Sequence, residues 1–580
     1  MSTYKLESWD LSTIMSKDVT KTFADIESRT KSIEKRKSQL TSTISSKDFM
    51  QFIKDFESLH ILIAKMSYSV GLKSAEDSTD QTTAALKSKI DHFLMRIDNR
   101  LLYFDLWFKK LPDEKAKELI QESGNFHYYL ECIRRTKPYT LKESEEKIIT
   151  IKDVTGVSSL ITVYDILTSQ FTFEFEEKTL NQNELAVMMR DPSAKRRELA
   201  YKTLFEKFDH YKDVITEIYK QSVNDWREEN VHLRGYKNPI HVRDMSNDLP
   251  SDAVKAVLSV CKENHSLFQR YFSLKKKRLG VDKIRRFDVY APITTKTEKI
   301  SYDKAIKLVL ETFEDFSPDF SKHANKIINE KHIHSTLQKG KNPGAFCATV
   351  TTDTPPYILL NYTGTLRDVS TLAHELGHGI HACLASHQTE FTNHATLPLA
   401  ETASTFAELL LLERLLKQQP ESAESLLFAH LDNMYATIIR QASFVEFEIK
   451  AHKMIEDGKT RDEISAMYLK ALKSQLGKDV EVDDMFKSEW SVVPHFFHTP
   501  FYCYAYAFGN LLALALFETY KEEGESFVPK LIDMLASGGS ESPVTITKKL
   551  GIDICSKEFW RKGFVVIEEL LKRTEKLVDA

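Results

Sequence analysis

The stretch "PYILLNYTGTLRDVSTLAHELGHGIHACL", residues 356–384, decides how this chain folds. Six of its first seven residues are apolar or aromatic, which predicts a strand. Thr365 and Asp368 then have the spacing of a capping box, so a long helix is predicted from about residue 365. On that helix His374 and His378 are four apart and share a face. Two imidazoles so placed can point at one ion, and Glu375, rotated by about 100°, flanks its open side. Buried histidines and a buried glutamate on so apolar a helix are costly without an ion or hydrogen-bond partners.

A zinc site in a hydrolase uses three protein ligands and a water. His381 lies about 10 Å along the helix axis from His374, too far to share its ion. The metzincin pattern would put glycine at 381 and histidine at 384, where this chain has His381 and Leu384. His394 is a further candidate, but it sits in a predicted loop, "FTNHATLP" (391–398). The remaining source is a predicted apolar helix, "PLAETASTFAELLLLERLL" (398–416), which carries Glu401 and Glu408 seven apart on one face. Glutamates on an apolar face call for a partner. Glu401 as third ligand, with Glu408 in support, meets that need; two surface glutamates are the plain alternative.

Length and composition frame this reading. A chain of 580 residues exceeds one compact core. Only 18 glycines and 16 prolines interrupt it, which favours long helices and a mostly α fold. Acidic and basic residues nearly balance, at 84 and 80, and are mixed throughout, so no basic face for nucleic acid is expected. The short basic run "SLKKKRLG" (273–280) reads as a solvated helix end. The six cysteines are scattered without a CxxC pair, as in a reducing compartment. The start, "MSTYKLESWDLSTIM", has no signal-peptide pattern, and the most apolar run, "FGNLLALALF" (508–517), is too short for a membrane span. A cytoplasmic protein without membrane or nucleic-acid partners is expected.

Helical periodicity dominates from about 16 to 122, with "LKSAEDSTDQTT" (72–83) as a connection or helix start. "LTSQFTFEFEE" (167–177) alternates as a short strand does, and Asp191-Pro192 marks the next helix entry. These features place a boundary near 190, between an N-terminal helical region, 1–190, and the remainder, 191–580. Two strands, "GAFCATV" and "PYILLNY", are predicted before the histidine helix, as a small sheet among helices.

"HELGHGIH" followed 23 residues after its second histidine by "ETASTFAE" resembles the thimet oligopeptidase-like zinc metallopeptidases, in particular the oligoendopeptidase F branch. "WDLS", "RGYKNP", "KRLG", "FDVYAP", "PGAFC" and "PHFFHTPFYCYAYAFG" agree with it, so the resemblance spans nearly the whole chain. It implies a large helical body divided by a deep substrate channel, with a small β-sheet beside the zinc-site helices. It also implies an oligopeptidase F N-terminal-like segment at about 110–185 and a catalytic domain over 191–580. By position, His374, His378 and Glu401 would hold one zinc ion, with Glu375 as catalytic base. His495 and Tyr504 are the matches for the groups that hold the reacting carbonyl; His498 and Tyr502 are alternatives in the same segment. From the residues alone, Tyr502 and Tyr506 share a helix face and Tyr504 points away.

The implied reaction is hydrolysis of internal bonds in short unstructured peptides. Zinc acidifies water and polarises the carbonyl, Glu375 moves the proton, and "GAFCATV", through Gly344 and Ala345, binds the peptide backbone as an edge strand. A zinc carboxypeptidase of related helical fold and a non-catalytic peptide-binding protein are the competing readings. Cleavage preference and oligomeric state are not legible in the residues.

Overall fold

Capping residues set many of the helix boundaries. Ser45 accepts the Asp48 amide at the start of Ser46–Glu76, and Asp80 accepts the Thr82 amide at the start of Gln81–Leu101. The predicted connection 72–83 thus divides into a helix end, a four-residue link and a new start. The computed structural model describes residues 3–15, 18–294 and 299–579. Helices dominate it, with three small sheets among the described residues. No described helix is long and apolar enough to cross a membrane.

Packing separates two compact units, each assembled from three stretches. One comprises 1–138, 297–414 and 522–551; the other comprises 139–296, 415–521 and 552–580.

The first unit has a helical core built on Phe49, Phe52, Phe56, Phe104 and Phe108, all buried. Its sheet has three strands: β1 (Ile333–His334), β2 (Phe346–Ala348) and β3 (Tyr357–Leu359). The order is β1–β3–β2, with β1 parallel and β2 antiparallel to the central β3. Cys347 pairs with Ile358, and β2 is one of the two edge strands. Alternation assigns the two faces of β3. Tyr357 and Leu359 join a cluster with Trp9 of the "WDLS" segment, and the Trp9 ring stands edge-on to Tyr357 at 6.0 Å. Ile358 faces the following helix, α1 (Leu366–Leu384): a β-carbon at Gly379 would lie 3.7 Å from its Cδ1. The two predicted strands are present in shortened form. Strand β1 adds a third, too short to leave an alternating pattern in sequence.

In the second unit the predicted strand at 167–177 is one arm of a hairpin, Phe173–Phe175 with Lys178–Leu180. The helix announced by Asp191-Pro192 runs Ala194–His210. The basic run at 273–280 departs from expectation. Lys277 and Arg278 face outward as predicted, but Lys275 is fully buried. Its Nζ donates to Val289 O and to both Asp432 carboxylate oxygens, each at 2.7 Å. Asp432 lies 157 residues away, so the run alone gives no sign of the pairing.

Removing one member of a buried ion pair leaves the other uncompensated. Lys275→Met is expected to destabilise the second unit by about 3 kcal/mol, and Asp432→Leu in addition should recover part of the loss. Urea unfolding of both variants checks this; a loss below about 1 kcal/mol for Lys275→Met would place the pair among weak surface bridges.

Candidate metal centre

Helix α1 begins as the sequence predicts. Thr365 Oγ1 accepts the Asp368 amide at 3.2 Å, and Asp368 Oδ2 accepts the Thr365 amide at 2.9 Å. The anchored start leads into the turns that carry His374, Glu375 and His378. Their partners come from helix α2 (Thr402–Gln418) and the residue just before it. Here the structure corrects the single helix predicted over 398–416. A short turn, Leu397–Ala400, ends at Glu401, and α2 starts afresh at Thr402. Ser404 Oγ donates to both the backbone O and Oε2 of Glu401, each at 3.0 Å, which fixes the carboxylate at the break.

Glycine permits the close approach of the two segments. A β-carbon at Gly377 would stand 2.6 Å from Ser404 Cα and 2.7 Å from Ala403 O. Backbone thus meets backbone between the two histidines and the residues that follow Glu401. Glu401 Oε2 lies 3.4 Å from His374 Nε2 and 3.5 Å from His378 Nε2. Ligand atoms about 2.1 Å from a tetrahedral zinc ion are separated by about 3.4 Å, so this donor set fits the ion. It is also the one group of donors among the described residues that combines imidazole and carboxylate within 4.8 Å. The His374, His378 and Glu401 side chains are 26%, 23% and 27% exposed, so the group opens to solvent on one side.

Glu408 occupies the other nitrogen of His374: Oε1 is 2.5 Å from Nδ1, and Ser370 Oγ donates to Oε2 at 3.1 Å. The His374 ring therefore has a carboxylate at each nitrogen, an arrangement that fixes tautomer and direction. Burial resists protonation of His374, but the Glu408 hydrogen bond and the charges of Glu408, Glu401 and Glu375 overcome it and lift its pKa to about 9. Burial dominates at His378, with the charge of His374 adding to it against Glu401, and its pKa falls to about 4. A bound dication would replace these balances with its own charge.

Glu375 points to a different surrounding. It is 6% exposed and lies close enough to Cys347 of edge strand β2 for its charge to oppose ionisation of that thiol. Burial lifts Glu375 to about 7, with Glu401 and Glu408 adding to it and His374 opposing. A carboxyl poised near neutrality suits proton transfer in either direction. His381 is buried and His394 is exposed, and both lie outside the donor group. Gly344 sits just before β2 at a φ of 81°, and its carbonyl accepts from Asn361 Nδ2 at 2.8 Å; Ala345 connects it to the strand.

In the second unit, the predicted helix from Phe501 instead starts at Tyr504 and runs to Glu523. Ahead of it, His495–His498 form one short turn. His495 stacks on Tyr502 at 5.7 Å and 12°, and Tyr506 stands edge-on to both rings. His498 Nε2 is 2.8 Å from Asp165 Oδ1, while Phe497 stacks on Tyr164 at 3.9 Å. Tyr504 corrects the sequence reading. It is fully buried and its hydroxyl accepts from Asn247 Nδ2 at 2.9 Å, so it serves the core and is not presented to a peptide. The helical spacing that separates Tyr504 from Tyr502 and Tyr506 was the available signal.

Substitutions that disturb the support should weaken metal binding. Gly377→Ala forces α1 and α2 apart, and Glu408→Ala releases His374; each is expected to lower zinc affinity by about ten- to a hundredfold. Competition with a chromophoric chelator measures this, and unchanged affinity in both would remove the proposed roles of the contact and the carboxylate.

Comparison with known proteins shows the family of this chain. Residues 187–566 match Peptidase family M3, and residues 107–173 match the Oligopeptidase F family. An oligoendopeptidase F homolog of Borreliella burgdorferi is 27% identical over 95% of each chain. The chromosomal oligoendopeptidase F of Lactococcus lactis subsp. cremoris is 26% identical over 98% of this chain and 97% of its own. The fold is shared with the crystal structure of oligoendopeptidase-F from Enterococcus faecium: the TM-score is 0.73 at 21% identity, over 96% of this chain and 98% of that one. The histidine helix and the glutamate segment both lie within the longer match, and the chain belongs to peptidase family M3, a family of metallopeptidases.

Proposed function

We propose that this peptidase is a zinc-dependent oligoendopeptidase that binds one zinc ion per chain through His374, His378 and Glu401. The spacing of the three donor atoms carries the reading. A zinc ion held there would supply Lewis-acid polarisation of the scissile carbonyl and a more acidic water. Glu375 accepts a proton from the attacking water and delivers it to the leaving amine, as a buried carboxyl next to ligand His374 on the same helix is placed to do. Glu408 holds His374 with Nε2 turned to the donor group.

Strand β2 favours short unstructured peptides as substrates. It is a sheet edge, so its outer backbone groups can pair with an extended chain. Gly344 and Ala345 lead into that edge, and peptides already folded have no free strand to add. Roles for His495 and Tyr502 at the reacting carbonyl rest on the family resemblance, with Tyr506 joined to them by ring contact. Such donors suit a developing oxyanion. The six free cysteines suit a reducing cytoplasm, where we place the protein.

A panel of internally quenched peptides, blocked at both ends, tests the reading. Cleavage at internal bonds is expected, abolished by a chelator and restored by zinc. Requirement for a free C-terminus would indicate a carboxypeptidase instead. Glu375→Gln is expected to keep one zinc per chain and lose about a thousandfold in kcat/KM; near-normal activity would exclude it as the base.

A further inference from the structure

The tyrosine-rich segment contains a strained residue in an unusual setting. Phe501 has a φ of 60°, a left-handed conformation that a bulky side chain rarely adopts. Strain of this kind persists where surrounding groups impose it. Here the Phe501 amide donates at 2.8 Å to Oε1 of Glu448, which lies on the helix Arg440–Glu456 and is 1% exposed. One residue earlier, Pro500 O accepts from Arg243 Nε at 3.1 Å. The Phe501 ring is buried on His452, one turn after Glu448, with ring centroids 4.6 Å apart.

This anchorage uses more polar material than core packing alone requires. Glu448 Oε2 and both ring nitrogens of His452 are buried without hydrogen-bond partners. A carboxyl in such a place is unfavourable for stability, and an apolar side chain of the same size would fill the space at lower cost. Burial keeps Glu448 protonated near neutral pH, with its pKa lifted to about 8. What Glu448 adds is an acceptor for one amide, at the one residue whose backbone would otherwise turn the other way. A return to negative φ would rotate the chain about the Phe501 N–Cα bond by about 120°. Tyr502 follows immediately, and its position against His495 and Tyr506 depends on that bond.

We propose that Glu448 is a positioning residue: by accepting the Phe501 amide it holds the left-handed turn that sets Tyr502 against His495 and Tyr506. The effect on peptide cleavage rests on the function proposed above for Tyr502; the effect on geometry does not.

A double-mutant cycle tests the proposal on the zinc-loaded full chain, with zinc content and circular dichroism confirming the fold. Glu448→Leu is expected to lower kcat by at least thirtyfold with KM changed less than threefold, and Glu448→Gln, which keeps an acceptor, to restore most of it. Tyr502→Phe should lower kcat in the parent and add little in the Glu448→Leu background. Multiplying losses or a silent Glu448→Leu would overturn the effect on cleavage, and a silent Tyr502→Phe would overturn the function proposed for Tyr502. Should Glu448→Leu fail to fold, Glu448→Asp, which withdraws the acceptor by one methylene, takes its place. A crystal structure of the variant separates the two readings. Phe501 at negative φ with Tyr502 off His495 supports the positioning role even where the parent cuts no peptide. An unchanged turn refutes it whatever the activity.

Discussion

One imidazole held between two carboxylates organises the candidate metal site. His374 meets Glu401 at Nε2 and Glu408 at Nδ1, and those glutamates flank the start of one helix. The arrangement works because the two segments touch backbone to backbone at Gly377, where no β-carbon fits. Everything at the donor group follows from that approach: Glu401 reaches both histidines, Ser404 restrains Glu401, and Ser370 restrains Glu408. Polar restraint outside the ligands is what turns three donors into a directed site.

The same helix divides two kinds of environment by rotation alone. His374 and His378 meet Glu401 through their Nε2 atoms, while Glu375 is buried and acts electrostatically on both the donor group and Cys347 of edge strand β2. Burial lifts the Glu375 pKa to about 7 before the charge of any ion acts on it. Structure and chemistry are coupled here through the strand as well. The edge that shelters Glu375 is also the edge that can accept an extended peptide.

Much of this was legible in sequence where the signal is local. The capping box at Thr365 and Asp368, the i, i+4 histidines and the paired glutamates on an apolar stretch each state their chemistry within a few residues. Long-range and backbone effects were not legible. Asp432, which neutralises Lys275, is distant in the chain. The break at Glu401, between Leu397–Ala400 and Thr402–Gln418, leaves no mark in the apolar pattern of 398–416. Tyr504 is matched to the carbonyl only by the family resemblance, whereas its helical spacing already turns it from Tyr502 and Tyr506, and the structure buries it on Asn247. Gly377 was visible as a residue but not as a contact, since its partner is the backbone of another segment.

The central claim is that one zinc ion joins the two segments. Anomalous diffraction from crystals of the zinc-loaded protein, collected on both sides of the zinc absorption edge, tests it most directly. The account predicts a single strong peak per chain bonded to His374 Nε2, His378 Nε2 and Glu401, with Glu408 still on His374 Nδ1. A peak elsewhere, or an ion bound without Glu401, would contradict it.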